Sequence, residues 1–86
     1  MDINKLISIV KKKIIDNIVI EKIDIEDKTF LHKKHSSYIE GKYHLKIKIK
    51  SIELKKNNKI EANKRIYKIL DEEIKNNIHS IQILIT

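Results

Sequence analysis

The segment from Tyr43 to Lys50, YHLKIKIK, constrains the fold of this chain more than any other. Tyr43, Leu45, Ile47 and Ile49 point one way and His44, Lys46, Lys48 and Lys50 the other, the period of two that marks a strand with one dry face and one wet face. Such a strand needs a sheet to pair in and an apolar layer to cover its dry side. With 86 residues the chain has material for about one core, so a single domain spanning residues 1–86 is expected, without linker, repeat or low-complexity segment.

The covering layer is legible on both sides of this strand. Ile3, Leu6, Ile7, Val10 and Ile14 recur at spacings of three and four, with Asn4, Lys5, Lys11 and Lys12 opposite, which predicts an amphipathic helix. Asp2 stands where a helix takes its N-cap. A second apolar stripe, Ala62, Ile66, Ile69, Leu70 and Ile74, follows Asn58 and Glu61, a spacing that resembles a helix start, and Asn76 and Asn77 are placed to end it. Two further strands are expected. The run Ile18–Ile25 is β-branched with an irregular start, and IHSIQILIT, beginning at Ile78, carries apolar residues on both parities and is therefore expected inside the sheet. The stretch after Leu54, KKNNK, reads as a loop. The order is α-β-β-α-β, an α+β chain with helices layered on a sheet. The long polar connection EDKTFLHKKHSSYIEGK, between the first two strands, holds the only glycine, Gly41, and most of the histidines at or near it; a connection of that length in so small a domain usually has a function.

Composition excludes several kinds of chemistry. There is no cysteine, so disulfides, thiolate metal sites and thiol nucleophiles are ruled out, and any metal held by this chain must use His, Asp or Glu. The net charge of +7 comes from lysine, with Arg65 the only arginine. Bidentate base and phosphate recognition favours arginine, so the charge reads first as a solvated lysine face and second as a basic binding surface. Few aromatics are available for stacking on bases: Phe30, Tyr38, Tyr43 and Tyr67. No run approaches the roughly 20 apolar residues of a membrane span, and MDINKLISIVKKK lacks the apolar core of a signal peptide. The expectation is a cytoplasmic protein without a membrane association.

The motifs then point to a family. Asp27 to His32 (DKTFLH), the His32-x-x-His35 pair, His44 at the head of the second strand, and above all RIYKILDEEIKNNIHSIQI from Arg65 to Ile83 resemble the BolA-like proteins. In that pattern a helix with a paired-glutamate segment, here Leu70 to Ile74, leads through a short turn into a strand entered by an apolar-His-small-apolar tetrapeptide, here Ile78, His79, Ser80 and Ile81. The likeness covers about residues 3 to 86. It departs from the family where many members carry an Arg-His-Arg run after a Phe-x-Gly segment; this chain has Ala62, Asn63 and Lys64 after Leu54, Lys55 and Lys56.

The resemblance implies a KH-like fold of class II type, with a three-stranded sheet, helices on one face and no Gly-x-x-Gly loop. It also implies a non-enzymatic adaptor that pairs with a monothiol glutaredoxin as a heterodimer and shares a [2Fe-2S] cluster with it and its glutathione, none being expected in the isolated protein. His79 is then a cluster ligand and His32 the second, with His35 as the alternative. Imidazoles are accepted on one iron of such a cluster. They must be neutral to bind, so acid should release it.

Without the resemblance each residue has a plainer reading. His79 shares parity with Ile81, Ile83 and Ile85 and would be a core or edge histidine; His32 and His35 would be loop residues; His44 would be a surface or supporting residue on the lysine face. His32-x-x-His35 offers zinc only two ligands, and Glu72 and Glu73, about 100° apart on a helix, suit an acidic patch better than an acid-base pair. The competing functional reading is a transcriptional regulator that binds DNA through the KH-like fold and the bulk positive charge. Whether the free protein forms a homodimer stays open.

Overall fold

The computed structural model describes residues 2–29 and 42–86. Helix α1 (Ile3–Asn17) starts as expected, with the Asp2 carboxylate accepting from the Lys5 N–H at 2.9 Å, one of the amides that a helix leaves without an internal partner. Its buried face is Leu6, Val10 and Ile14, and the next residue in that stripe is Ile18, the helix C-cap, itself in the core. That phase corrects the expected start of the first strand. Ile18 belongs to the helical stripe, and β1 covers Lys22–Asp27 instead of Ile18–Ile25.

β1 pairs antiparallel with β2 (Tyr43–Lys50), from Lys22 opposite Lys50 to Asp27 opposite Leu45. Beyond β2 the chain forms a short helix, α2 (Ile52–Lys55), where the sequence suggests no element before the loop expected after Leu54. Ser51 makes it possible. Its fully buried hydroxyl accepts from the Leu54 N–H at 3.1 Å and donates to the Val19 carbonyl at 2.7 Å, tying the new helix to the segment that enters β1. The Glu21 carboxylate accepts from the Ile52 N–H at 2.8 Å and closes the same junction.

The second long helical stretch is two helices, α3 (Lys59–Ile69) and α4 (Asp71–Asn76), broken at Leu70. Asn58 caps α3 by accepting from the Glu61 N–H at 2.9 Å, as its spacing suggests. Strand β3 (Ile78–Ile85) closes the fold, parallel to β2. The sheet order is β1-β2-β3, so β3 is an edge strand and not an interior one. Its apolar residues on both parities have a different cause: Tyr43 is registered with Ile78 but His44 with Ser80, so one extra residue, His79, is accommodated as a bulge and the parity flips across it. Ile78 before the bulge is buried, and Ile81, Ile83 and Ile85 after it pack against the same core.

The core is branched-aliphatic. Leu45, Ile47 and Ile49 of β2 meet Leu6, Val10 and Ile14 of α1 and Ala62, Ile66 and Leu70 of the later helical stretch. This is an α+β fold with a three-stranded mixed sheet. Among the described residues no helix is long and apolar enough to cross a membrane.

Candidate functional site

The other face of the sheet carries His44, Lys46, Lys48 and Lys50 of β2, flanked by Asp24 and Glu26 of β1, which stand opposite Lys48 and Lys46. Glu26 is 2.9 Å from the Lys28 ammonium and 3.9 Å from that of Lys48. The hydrogen bond from Lys28, aided by the charges of Lys28, Lys48 and Lys46, holds the Glu26 carboxyl below its ordinary 4.5. Much of the lysine charge here is therefore matched across strands, as expected of a solvated face.

His44 departs from that pattern. It lies on the lysine side but is 3% exposed, so of its two readings the surface one falls and the supporting one stays. Two structural features bury it. On one side the chain leaving β1 makes a turn in which the Asp27 carboxylate accepts from the Thr29 N–H at 2.9 Å and from the Thr29 hydroxyl, an Asx turn. The Thr29 hydroxyl also accepts from the His44 N–H at 3.1 Å, and the Lys28 N–H donates to the His44 carbonyl at 2.7 Å. On the other side Ser80, the residue after the bulge, places its Oγ 2.6 Å from His44 Nδ1.

The bulge itself presents His79. Its neighbours Ile78 and Ile81 are drawn toward the core, whereas His79 is exposed, with its ring centroid 4.9 Å from that of His44 and the planes tilted by 59°. The strand parity expected for His79 is thus overturned, since the extra residue removes it from the row of Ile81, Ile83 and Ile85. The Tyr43 N–H bonds the Asn77 carbonyl at 2.9 Å just before the bulge, so the exposed imidazole stands on a fixed backbone.

The helix that leads into β3 is tied to α1. Glu73 of α4 is 5% exposed and binds the Lys13 ammonium of α1 at 2.7 Å, while the exposed Glu72 stands 3.7 Å from the same nitrogen. The hydrogen bond to Glu73 is the main reason Lys13 is held above the ordinary lysine value of 10.5. The paired glutamates therefore divide into a buried anchor and an exposed neighbour. His32 and His35 lie outside the described residues. The residues that sequence reasoning passed over are Thr29 and Ser80; the Asp-x-Thr spacing of Asp27 and Thr29 was a turn signal, whereas nothing local marked Ser80 as a partner of His44.

Arg65 is also accounted for. It donates to the Glu53 carboxylate at 2.7 Å and to the Asn57 side chain at 3.1 Å, fastening α2 to α3. The one guanidinium suited to forked phosphate contacts is engaged inside the fold.

The family model described as BolA-like protein matches residues 14–86. The chain belongs to the BolA-like family. Among solved structures, this BolA-like chain is similar to the BolA domain of SufE1 from Arabidopsis thaliana, with a TM-score of 0.76 at 19% identity over 90% of this chain and 85% of that one. It is equally similar in fold to BolA1 from Arabidopsis thaliana, with a TM-score of 0.76 at 22% identity over 92% and 87% of the two chains. No curated protein matches it significantly in sequence. The BolA-like family match spans the bulge, His79, Ser80 and His44 together.

Proposed function

We propose that this BolA-like protein is a non-enzymatic adaptor that pairs with a monothiol glutaredoxin and contributes His79 to a [2Fe-2S] cluster shared between the two chains. The observation that carries the reading is the bulge. It places one exposed imidazole at a hydrogen-bonded strand end, beside a second imidazole that is buried and hydrogen-bonded to Ser80. A ligand that must be met by another protein has to be accessible and fixed, and His79 is both.

The donor set fits half of a cluster. Among the described residues no group of three or more His, Cys, Asp or Glu side chains could hold a metal ion, and the chain has no thiolate to offer. A site at His79 then draws its other ligands from residues 30–41, where His32 is the second candidate and His35 the alternative, and from thiolates of the partner and its glutathione. Two imidazoles on one iron of a [2Fe-2S] cluster raise its reduction potential relative to all-thiolate ligation. What this chain's own residues do is simpler: the bulge projects His79, and Thr29, Ser80 and the β2 backbone hold His44 beneath it.

The test mixes the protein with a monothiol glutaredoxin and glutathione under cluster-assembly conditions and records absorption and EPR spectra. The wild-type mixture is expected to give a heterodimer whose spectra differ from those of the glutaredoxin alone, and His79→Ala to remove the difference. Because His79 is exposed, the same variant should change unfolding free energy by no more than about 0.5 kcal/mol. A mutant complex with the wild-type spectrum would reject the ligand assignment. Protons compete with iron for the imidazole, so the complex should also bleach on acidification, and a cluster intact at about pH 5 would argue against histidine ligation.

A further inference from the structure

β3 is an edge strand, and its far end borders a groove of about 520 Å³ lined by Leu54, Ala62, Ile83, Leu84 and Ile85 and by polar residues that include Lys55 and Lys59. The backbone phase of this edge is fixed by the Thr86 N–H, which donates to the Ile49 carbonyl at 2.8 Å. In a parallel ladder alternate residues face the neighbouring strand, so Leu84 and Thr86 turn their backbone groups toward β2 and Ile83 and Ile85 turn theirs outward. The groove thus combines a row of outward amides and carbonyls with an apolar wall, the two requirements for adding an extended peptide to a sheet.

The charge around the groove selects the peptide. Lys55 and Lys59 line it, and Lys56 is exposed in the adjoining turn. The Glu53 carboxylate of α2 is engaged by Arg65, whereas that of Glu61 in the first turn of α3 points to solvent beside the lysines. Leu84 in the lining is itself partly open to solvent, and Ile60 in the first turn of α3 is a further exposed apolar side chain. A net charge of +7 disfavours a second copy as the occupant, since like charges would meet at the rim. Single-stranded nucleic acid is also a poor match: the lining has no aromatic side chain to stack on, and the only arginine is occupied.

We infer that the β3 edge and the α2–α3 groove form a docking site for an extended acidic peptide segment of a partner protein, one that pairs with Ile83 and Ile85 and sets carboxylates against Lys55 and Lys59. This site is independent of the one at His79. The two stand at opposite ends of β3, six residues or about 20 Å apart, so one chain can engage a partner at each.

The experiment titrates the full-length protein with a capped heptapeptide of alternating valine and glutamate, following backbone amides by NMR at physiological salt. Saturable shifts are expected at Ile83, Ile85, Leu54 and Ala62, with no change at His79. The surface double variant K55E/K59E, which touches no core residue, should weaken binding by about tenfold or more and leave the unbound spectrum otherwise native. The valine-lysine counterpart should not bind the wild type. Shifts spread over Lys46, Lys48 and Lys50 without saturation would overturn the proposal as bulk charge attraction. So would an oligothymidine that occupies the groove while the acidic peptide does not, or no shift at the β3 edge with any probe.

Discussion

At the scale of single residues, the two histidines that lie together differ in what they contribute. His79 is exposed on a bulge, whereas His44 is buried between an Asx turn and Ser80. Thr29 is the residue on which the second arrangement depends, because its hydroxyl serves the Asp27 carboxylate and the His44 N–H together. Thr29→Val keeps the shape and removes the hydroxyl. The His44 amide then loses its acceptor in a site 7% exposed at Thr29, and an unsatisfied buried group costs about 1–3 kcal/mol. Urea unfolding of the variant should show that loss, against the near-neutral effect expected of His79→Ala. If Thr29→Val were equally neutral, the turn would not be what holds His44 in place.

Among the elements, those read correctly from sequence are the ones whose pattern is local. β2 alternates without interruption, and the starts of α1 and α3 follow from Asp2 and Asn58 as caps. The differences come from interactions across the chain. Ile18 is β-branched, yet the helical spacing from Leu6 through Val10 and Ile14 takes it into the core as a cap. The β3 bulge is set by its register against Tyr43 and His44, which no local window contains, so neither the edge position of β3 nor the exposure of His79 was legible. α2 depends on Ser51 finding Val19, 32 residues away. That dependence makes Ser51→Ala informative: it removes an N-cap and leaves the Val19 carbonyl without its buried donor, for an expected loss of about 1–3 kcal/mol. Amide exchange should quicken first at Leu54 and Lys55. Uniform exchange across the molecule, with no early opening of α2, would mean that the helix is held by the packing of Leu54 alone.

For the molecule as a whole, charge and fold are coupled on the open sheet face. Lysines 46, 48 and 50 form a row that only Asp24 and Glu26 oppose from β1, and the chain carries +7 overall. Glu26 is the carboxylate whose folded-state value is lowered, chiefly by its hydrogen bond from Lys28. A group that is a stronger acid when folded binds fewer protons in the native state, so its contribution is present above the unfolded value of 4.5 and is lost as pH falls through the lower folded value. Protonating it also leaves the lysine row less opposed, raising self-repulsion. Thermal unfolding followed from about pH 6 to about pH 3 should therefore show a decline below 4.5 that is shallower in Glu26→Gln. The variant should start less stable at the upper end and converge on the wild type in acid. The effect is expected to be modest, since the carboxylate is partly exposed, with 40% of its side-chain surface open to water, and screening weakens such pairs. Added salt should shrink the gap between the two curves at pH 6, because it screens the pairs that the substitution removes. Parallel curves at every pH and salt concentration would show that the carboxylate–lysine ladder does not set the acid limb, leaving the remaining carboxylates to account for it.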